Sequence, residues 1–375
     1  MNSRLVLEQI WRSDPRIGLS TNDLVETTGL TRATVLLICD ELIDDGLIVP
    51  ATSRPETTTG RPVRRFALNA HRAYAAGVDV GYRSVSCAVA DLSGHWLATT
   101  RREFSDQSHE SRTALVRTAI DQTIEQAGIR HDAVESACFG VAAPIAADGH
   151  ISFDNPFWKT VQLDPKEVLD GVDWSVSVHN DANLAAIAER DTGVAESTDN
   201  YIALLAGERF GAGIVSAGQL LTGSAGGAGE MAYLTQVIGV GERKGIGALA
   251  REWAAQANEA RSSQNVLPTD AHAVLAAATA GDTDAITIVE RLADRLARVT
   301  GTLASLLNPD IIIISGTTSH QSEPLLRRTA TLIPQFSPLR VELAASALGP
   351  QAVLTGAIRV ALDTIFDRQS ANLTS

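Results

Sequence analysis

Apolar residues recur at helical spacing through the start of the chain and then change rhythm. Leu5, Leu7, Ile10 and Trp11 share one face of a short first helix. Ser20-Thr21-Asn22-Asp23 has the side chains of a capping box and opens a second helix carrying Leu24 and Val25. Thr28-Gly29-Leu30 reads as a tight turn. Thr31 then caps a third helix, whose Val35, Ile38, Cys39 and Leu42 follow the i, i+3, i+4, i+7 spacing of a buried face. Gly46 ends that helix. Two strands follow, roughly Leu47 to Ala51 and Val63 to Leu68, joined by a loop with Arg54 and Gly60-Arg61-Pro62. Three helices with a glycine turn before the third, then a two-stranded hairpin, predict a winged helix-turn-helix over residues 1–72.

Beyond Ala73 the rhythm is that of buried strands. Ala75 to Gly81 predicts a strand ending in Asp-x-Gly. Ser84 to Ala90 and Trp96 to Phe104 predict two more, with a turn at Asp91-Leu92-Ser93-Gly94. A helix over Ser111 to Ala127 and strands over Ala137–Val141 and Ser175–Val178 complete a first set. The succession then restarts: Tyr201 to Leu205, Gly213 to Ala217, a turn at Gly218, Gln219 to Leu221, and helices around Ile311 to Ile314. Two such halves predict a duplicated α/β domain over residues 73–375, two lobes with a cleft between them.

Charge sharpens the division. The net charge of −13 argues against nucleic-acid binding by the whole surface. Between Pro50 and Arg72, however, Arg54, Arg61, Arg64, Arg65 and Arg72 face a single acid, Glu56. The chain has only three lysines (Lys159, Lys166, Lys244), so this segment relies on arginine, the residue suited to bidentate phosphate and base contacts. In a winged helix the third helix enters the major groove by its N-terminal residues, here Thr31, Arg32 and Thr34. Arg54, Arg61, Arg64 and Arg65 on the wing then track phosphate or reach a minor groove. Operator DNA is the implied partner. The competing reading is a trihelical packing module with a solvated arginine hairpin.

The three cysteines, Cys39, Cys87 and Cys138, lie far apart in apolar stretches, so they read as small buried hydrophobes rather than metal ligands or a disulfide framework. No metal and no cofactor are expected. No apolar run is long enough to span a bilayer, and Met1-Asn2-Ser3-Arg4 opens no signal-peptide core, so a cytoplasmic protein without membrane contact is expected.

Seven segments carry a family resemblance in order. They are Gly77-Val78-Asp79-Val80-Gly81, Phe139 to Pro144, Asp154-Asn155-Pro156-Phe157-Trp158, His179-Asn180-Asp181-Ala182-Asn183, Gly223 through Glu230, Leu307 to Asp310 with Ser315-Gly316, and Ala347-Leu348-Gly349. Over nearly its whole length the chain resembles the ROK family (repressors, open reading frames, kinases), which has the actin-like ATPase fold. Members with an N-terminal winged helix resemble xylose and N-acetylglucosamine repressors; members without one are mostly sugar kinases. The resemblance implies sugar contacts by Asn155, Asn180, Asp181 and Glu230. In kinase members the residue matching Asp181 is the general base, a task a carboxylate suits. It equally suits plain acceptance of a sugar hydroxyl, and Asn180 or Asp181 can also cap the helix they open. Phe157 and Trp158 can stack on a sugar face or belong to the core.

The chain departs from the kinase pattern at several points. Tyr233 replaces a histidine that contacts sugar and zinc in kinase members, and is carried as a ligand contact. The cysteine-rich zinc loop is missing, and the glutamate expected after it falls near Gly247, with Glu242 in doubtful register. The first phosphate loop reads Asp79-Val80-Gly81-Tyr82-Arg83 and the second Gly207-Glu208-Arg209-Phe210-Gly211-Ala212-Gly213. A carboxylate where phosphate oxygens would lie is repulsive, so ATP is not expected to bind, and Arg83 or Arg209 is expected to pair with Glu208. The expected function is a non-enzymatic, homodimeric regulator of carbohydrate metabolism, a repressor relieved by a sugar or sugar derivative. An ATP-dependent sugar kinase with an accessory DNA-binding domain is the alternative, with Asp181 as its catalytic base. A third reading is a decayed pocket that serves only dimerisation.

Overall fold

The structure, a computed structural model, describes residues 1–51, 64–152, 156–231, 234–259, 261, 266–316 and 322–373. Its first unit comprises α1 (Asn2–Trp11), β1 (Leu19–Ser20), α2 (Thr21–Thr28), α3 (Arg32–Asp44), β2 (Ile48–Ala51) and β3 (Arg65–Leu68). The capping box forms: the Asp23 N–H donates to Ser20 Oγ at 3.1 Å, and the Ser20 N–H to Asp23 Oδ2 at 2.8 Å. Thr31 Oγ1 accepts from the Thr34 N–H at 3.2 Å and starts α3. Val35, Ile38, Cys39 and Leu42 are buried in one core with Val6, Leu7, Ile10, Leu24 and Phe66. Val6, rather than Leu5, fills the inner face of α1. The sheet gains an unforeseen strand, β1, giving the antiparallel order β1-β3-β2. Arg54 and Arg61 lie outside the described residues.

The rest of the chain contains β4 (Tyr74–Val80), β5 (Ser84–Asp91), β6 (Trp96–Glu103), α4 (His109–Ala127), β7 (Val134–Val141), α5 (Pro156–Val161), α6 (Pro165–Val168), β8 (Ser175–Asn180) and α7 (Asp181–Thr192). The second half adds β9 (Tyr201–Leu205), β10 (Gly211–Ser216), β11 (Gln219–Leu221), α8 (Ile246–Glu259), α9 (Ala271–Thr279), α10 (Thr283–Leu307), β12 (Ile311–Ser315), α11 (Glu323–Leu332), β13 (Glu342–Ala345) and α12 (Ala352–Asn372). The sheets run β6-β5-β4-β7-β8 and β11-β10-β9-β12-β13. In each, the first three strands are antiparallel and the last two join parallel. The second sheet therefore repeats the first strand for strand, as the restarted pattern implies. Strands β5 and β7 are almost wholly buried because helices cover both faces, which explains their unbroken apolar runs.

Helix α12 lies across β4 and β7 and along α7. The crossing is so close that a Cβ at Gly356 would sit 2.0 Å from the Leu184 carbonyl oxygen. At its far end Phe366 meets Trp11 edge-on at 5.3 Å, and Asp367 pairs with Arg4 at 3.0 Å, tying the helix to the N-terminal unit. No helix among the described residues is long and apolar enough to cross a membrane.

Candidate functional site

A cleft of about 390 Å³ opens where loops of the two lobes converge. Its floor is the junction between β8 and α7. Asn180, 8% exposed, caps the helix by accepting the Asn183 N–H on Oδ1 at 3.0 Å. Its Nδ2 donates to the Ala143 carbonyl at 3.1 Å and reaches Glu230 Oε1 at 3.4 Å. Capping and facing the cleft therefore coexist in one side chain. Asp181, the first residue of α7, accepts the Ala182 N–H at 2.8 Å. Glu230 arrives from the other lobe on the glycine-rich lead-in. Gly229 has φ of +82°, and a Cβ there would lie 1.7 Å from the Ala212 carbonyl oxygen, so only glycine permits the approach. The backbone bridge between Gly211 and Glu230 fixes the carboxyl over the floor.

Asp79, which also lines the cleft, makes the third carboxyl. Burial pushes Asp79 up to about 6, with Arg101 opposing. Burial raises Glu230 to about 7, against the pull of Arg209. Asp181 is held well above the usual carboxylate range, first by burial and then by the charges of Asp79 and Glu230. Three such carboxyls supply both donors and acceptors, which is what an array of hydroxyl groups requires.

The two loops that the family resemblance likens to phosphate loops are differently built. Arg112 is almost fully buried under the first phosphate loop. It donates to the Gly81 carbonyl at 2.9 Å and the Tyr82 carbonyl at 3.0 Å, while its guanidinium lies 3.9 Å from the Phe104 ring centre. Tyr82 stacks on Phe157 at 5.3 Å, and the Arg209 guanidinium lies 3.6 Å from the Phe157 ring centre. Phe157 thus meets two loops, while Trp158 also lines the cleft. Glu208 pairs with Arg83, one of the two expected partners, and more closely with Arg251, which was not expected. Arg251 donates to both of its oxygens at 2.6 Å, Arg83 stands at 4.0 Å, and Arg209 is not its partner. Glu242 does not line the cleft but pairs with Lys244 at 2.9 Å, whereas Gly247 does line it. Among the described residues no group of three or more His, Cys, Asp or Glu side chains is placed to hold a metal. Asn155 and Tyr233 lie outside the described residues.

On the N-terminal unit, Thr31 and Arg32 are exposed and Thr34 half-buried at the start of α3. Arg32 donates to Asn22 Oδ1 at 2.7 Å. Arg64 pairs with Asp40 at 2.7 Å and lies over Phe66, yet its side chain stays 51% exposed. Arg65 instead turns inward, donating to the carbonyls of Ile17 at 3.0 Å and Gly18 at 2.9 Å. Sequence reasoning missed Asp79 as a cleft carboxyl, although its place at a strand end beside a glycine was a usable signal. It also missed Arg112 and Arg251, whose partners lie in other loops and leave no local signature.

The ROK family profile matches residues 75–364. The xylose repressor of Caldicellulosiruptor bescii is 24% identical over 98% of this chain and 96% of its own length. The Escherichia coli K12 DNA-binding transcriptional dual regulator NagC is 24% identical over 87% of this chain and 82% of its own. The glucokinase of Halalkalibacterium halodurans is 28% identical over 67% of this chain and 82% of its own. Among solved structures, a ROK family transcriptional regulator homologous to the E. coli MLC protein superposes with a TM-score of 0.72, at 22% identity, over 99% of this chain and 98% of that one. A Streptomyces griseus ROK glucokinase in complex with glucose and AMPPNP gives 0.66 at 23% identity, over 78% of this chain and 100% of that one.

Proposed function

The chain belongs to the ROK family, and from that premise we propose that it is a DNA-binding transcriptional regulator of carbohydrate metabolism, a repressor released by a sugar or sugar derivative. Residues 1–72 form a winged helix-turn-helix, with Thr31, Arg32 and Thr34 toward base edges and Arg54, Arg61 and Arg64 toward the backbone. Arg65 contributes less, because its donors are engaged by the Ile17 and Gly18 carbonyls. Residues 73–375 sense the ligand through Asn180, Asp181 and Glu230, with Asn155 and Tyr233 completing the contacts. A two-fold dimer matches paired half-sites. The site does not turn over: Asp181 binds a sugar hydroxyl and no phosphoryl group is transferred.

One observation carries the choice of regulator over kinase, namely the Glu208–Arg251 pair in the second phosphate loop. A carboxylate held there, both of its oxygens accepting from Arg251 Nη2, opposes a polyphosphate and fills space that a small residue would leave open. The kinase reading draws on Asp181, which stands in the cleft, and on the glucokinase relatives. The two separate in one experiment. DNA is selected from a random pool on purified protein, and the bound sequence is titrated in the presence of sugars, amino sugars and their phosphates. Ligand-dependent release of DNA, with no ADP above background when ATP and Mg²⁺ are added, supports the regulator. Sugar-dependent ADP formation that disappears in Asp181→Asn supports the kinase.

A further inference from the structure

Helix α3 buries Val35, Ile38, Cys39 and Leu42 and leaves Arg32, Ala33, Leu37, Asp40, Glu41 and Asp44 exposed. That outward face is divided along its length. Its second half carries the carboxylates of Asp40, Glu41 and Asp44, of which Asp40 pairs with Arg64 at 2.7 Å. Its first half, from Arg32 to Leu37, carries no acid. DNA phosphates repel carboxylates, so the helix approaches a major groove most favourably by its first two turns. Ala33 and Leu37 stand four residues apart and so lie on one side of those turns. Leu37 is 62% exposed. An exposed leucine is ordinary on a protein surface; its place on this face is what gives it a use. Leucine has no donor or acceptor, so it satisfies none of the polar edges of guanine, cytosine or adenine. The apolar feature that a base presents in the major groove is the C5-methyl group of thymine. Packing Leu37 on another edge strips water from a polar group and returns nothing for it. At 1.5 Å per residue Leu37 lies about 7.5 Å along the helix axis from Arg32, roughly two base-pair steps.

We propose that Leu37 is a specificity-determining residue that packs, with Ala33, on thymine C5-methyl groups. Each half-site of the bound DNA then carries thymine about two base pairs from the base that Arg32 meets. The inference rests on the proposed reading of residues 1–72 as a winged helix-turn-helix. It adds an apolar contact and a base identity that this reading does not contain.

The test uses the full chain. DNA is selected from a random pool on wild type, Leu37→Ala and Leu37→Gln. Each thymine of the wild-type site is then replaced singly by deoxyuridine, which removes only the methyl group, and affinity is read by fluorescence anisotropy at fixed salt. At one or two positions per half-site the replacement is expected to weaken wild-type binding about fourfold, the worth of one buried methyl. Leu37→Ala is expected to bind the thymine site more weakly and to treat thymine and deoxyuridine alike at those positions. Leu37→Gln is expected to select adenine there, because a glutamine amide matches adenine N6 and N7. The deoxyuridine series on wild type depends on no variant folding, and thermal melts check the fold of both variants. Wild-type affinity indifferent to every deoxyuridine overturns the proposal. A deoxyuridine effect of equal size in Leu37→Ala overturns it too, as does selection of one sequence by all three proteins. Unchanged sequence preference with an altered oligomeric mass assigns Leu37 to a protein contact instead. In each of these cases DNA is still bound and the winged-helix reading stands. Enrichment of no sequence by wild type removes that reading and this proposal together.

Discussion

Replacing Glu230 with Gln should stabilise the protein at pH 8 and leave it nearly unchanged at pH 4.5. Glutamine keeps the shape and the oxygen that accepts from Asn180 Nδ2, but removes the charge. The ordinary carboxyl value of 4.5 is raised to about 7 at Glu230, with burial as the main cause. The folded chain therefore holds this proton more tightly than the unfolded chain does. Stability from this group is fully present below pH 4.5, falls as the pH rises toward 7, and stays low above it. At about 1.36 kcal/mol per pH unit, the full cost of ionising it in place approaches ~3 kcal/mol. Asp181 is coupled to Glu230, whose charge helps to raise it, so replacing Glu230 lets Asp181 give up its proton more readily and the effect is shared between the two groups. The expected gain for Glu230→Gln above pH 7 is accordingly about 1–3 kcal/mol, read as a rise of a few degrees in Tm. The assay is a series of thermal melts of wild type and variant from pH 4.5 to 8.5 at fixed salt. Curves that converge at low pH and separate through pH 5–7 bear the reasoning out. A gain of equal size at all pH values would show that the carboxyl does not titrate in this window. A loss at pH 8 would show that Arg209 stabilises the ionised form by more than burial penalises it.

Three further outcomes are expected. Arg32→Ala should weaken binding to the selected operator by about 1–3 kcal/mol if it reads a base edge, whereas Arg64→Ala should weaken all sequences alike and flatten the salt dependence; gel-shift or anisotropy titrations at several salt concentrations distinguish the two, and indifference to both removes the winged-helix reading. Arg112→Leu should destabilise by about 2–4 kcal/mol, because the Gly81 and Tyr82 carbonyls lose their donor under the first loop; urea unfolding measures this, and a neutral result would mean water reaches those oxygens. Gly356→Ala should cost about 1–3 kcal/mol despite the better helix propensity of alanine, since its Cβ would fall 2.0 Å from the Leu184 carbonyl oxygen; a gain on denaturant unfolding would mean that the two helices part without cost.

Elements with a strong period were legible from the chain alone. The face Val35, Ile38, Cys39, Leu42, the Ser20 box and the run Ile311–Ile314 all stand where their spacing places them. The strands that escaped notice lack such a signal. β1 is two residues long, and β13 is a half-exposed edge strand of Glu342-Leu343-Ala344-Ala345 that its neighbour β12 recruits. The cleft followed the same division. Asn180, Asp181 and Glu230 were legible because each belongs to a local motif, and the structure gathers them on one floor. Charge partners were not. Of the two partners expected for Glu208, Arg83 stands at 4.0 Å and Arg209 does not pair, while the closest partner, Arg251, lies on α8, well removed in sequence and without a local signature. Ion pairing is decided by where two lobes bring their loops, which depends on the packing of the whole domain.

Helix α12 is a rod of 21 residues, about 31 Å long at 1.5 Å per residue. Val353, in its first turn, lines the cleft, and Phe366, in its final turns, touches Trp11 of the first helix. Such a rod acts as a lever. A tilt of about 5° at the cleft end sweeps the other end through roughly 2.5 Å for that length, which is large on the scale of a base-edge contact. Close packing of the rod on β4, β7 and α7 resists bending, so rotation is passed along rather than absorbed. On the proposed reading of a dimeric repressor, the half-site spacing that fits DNA would follow angles set at the far end of this helix.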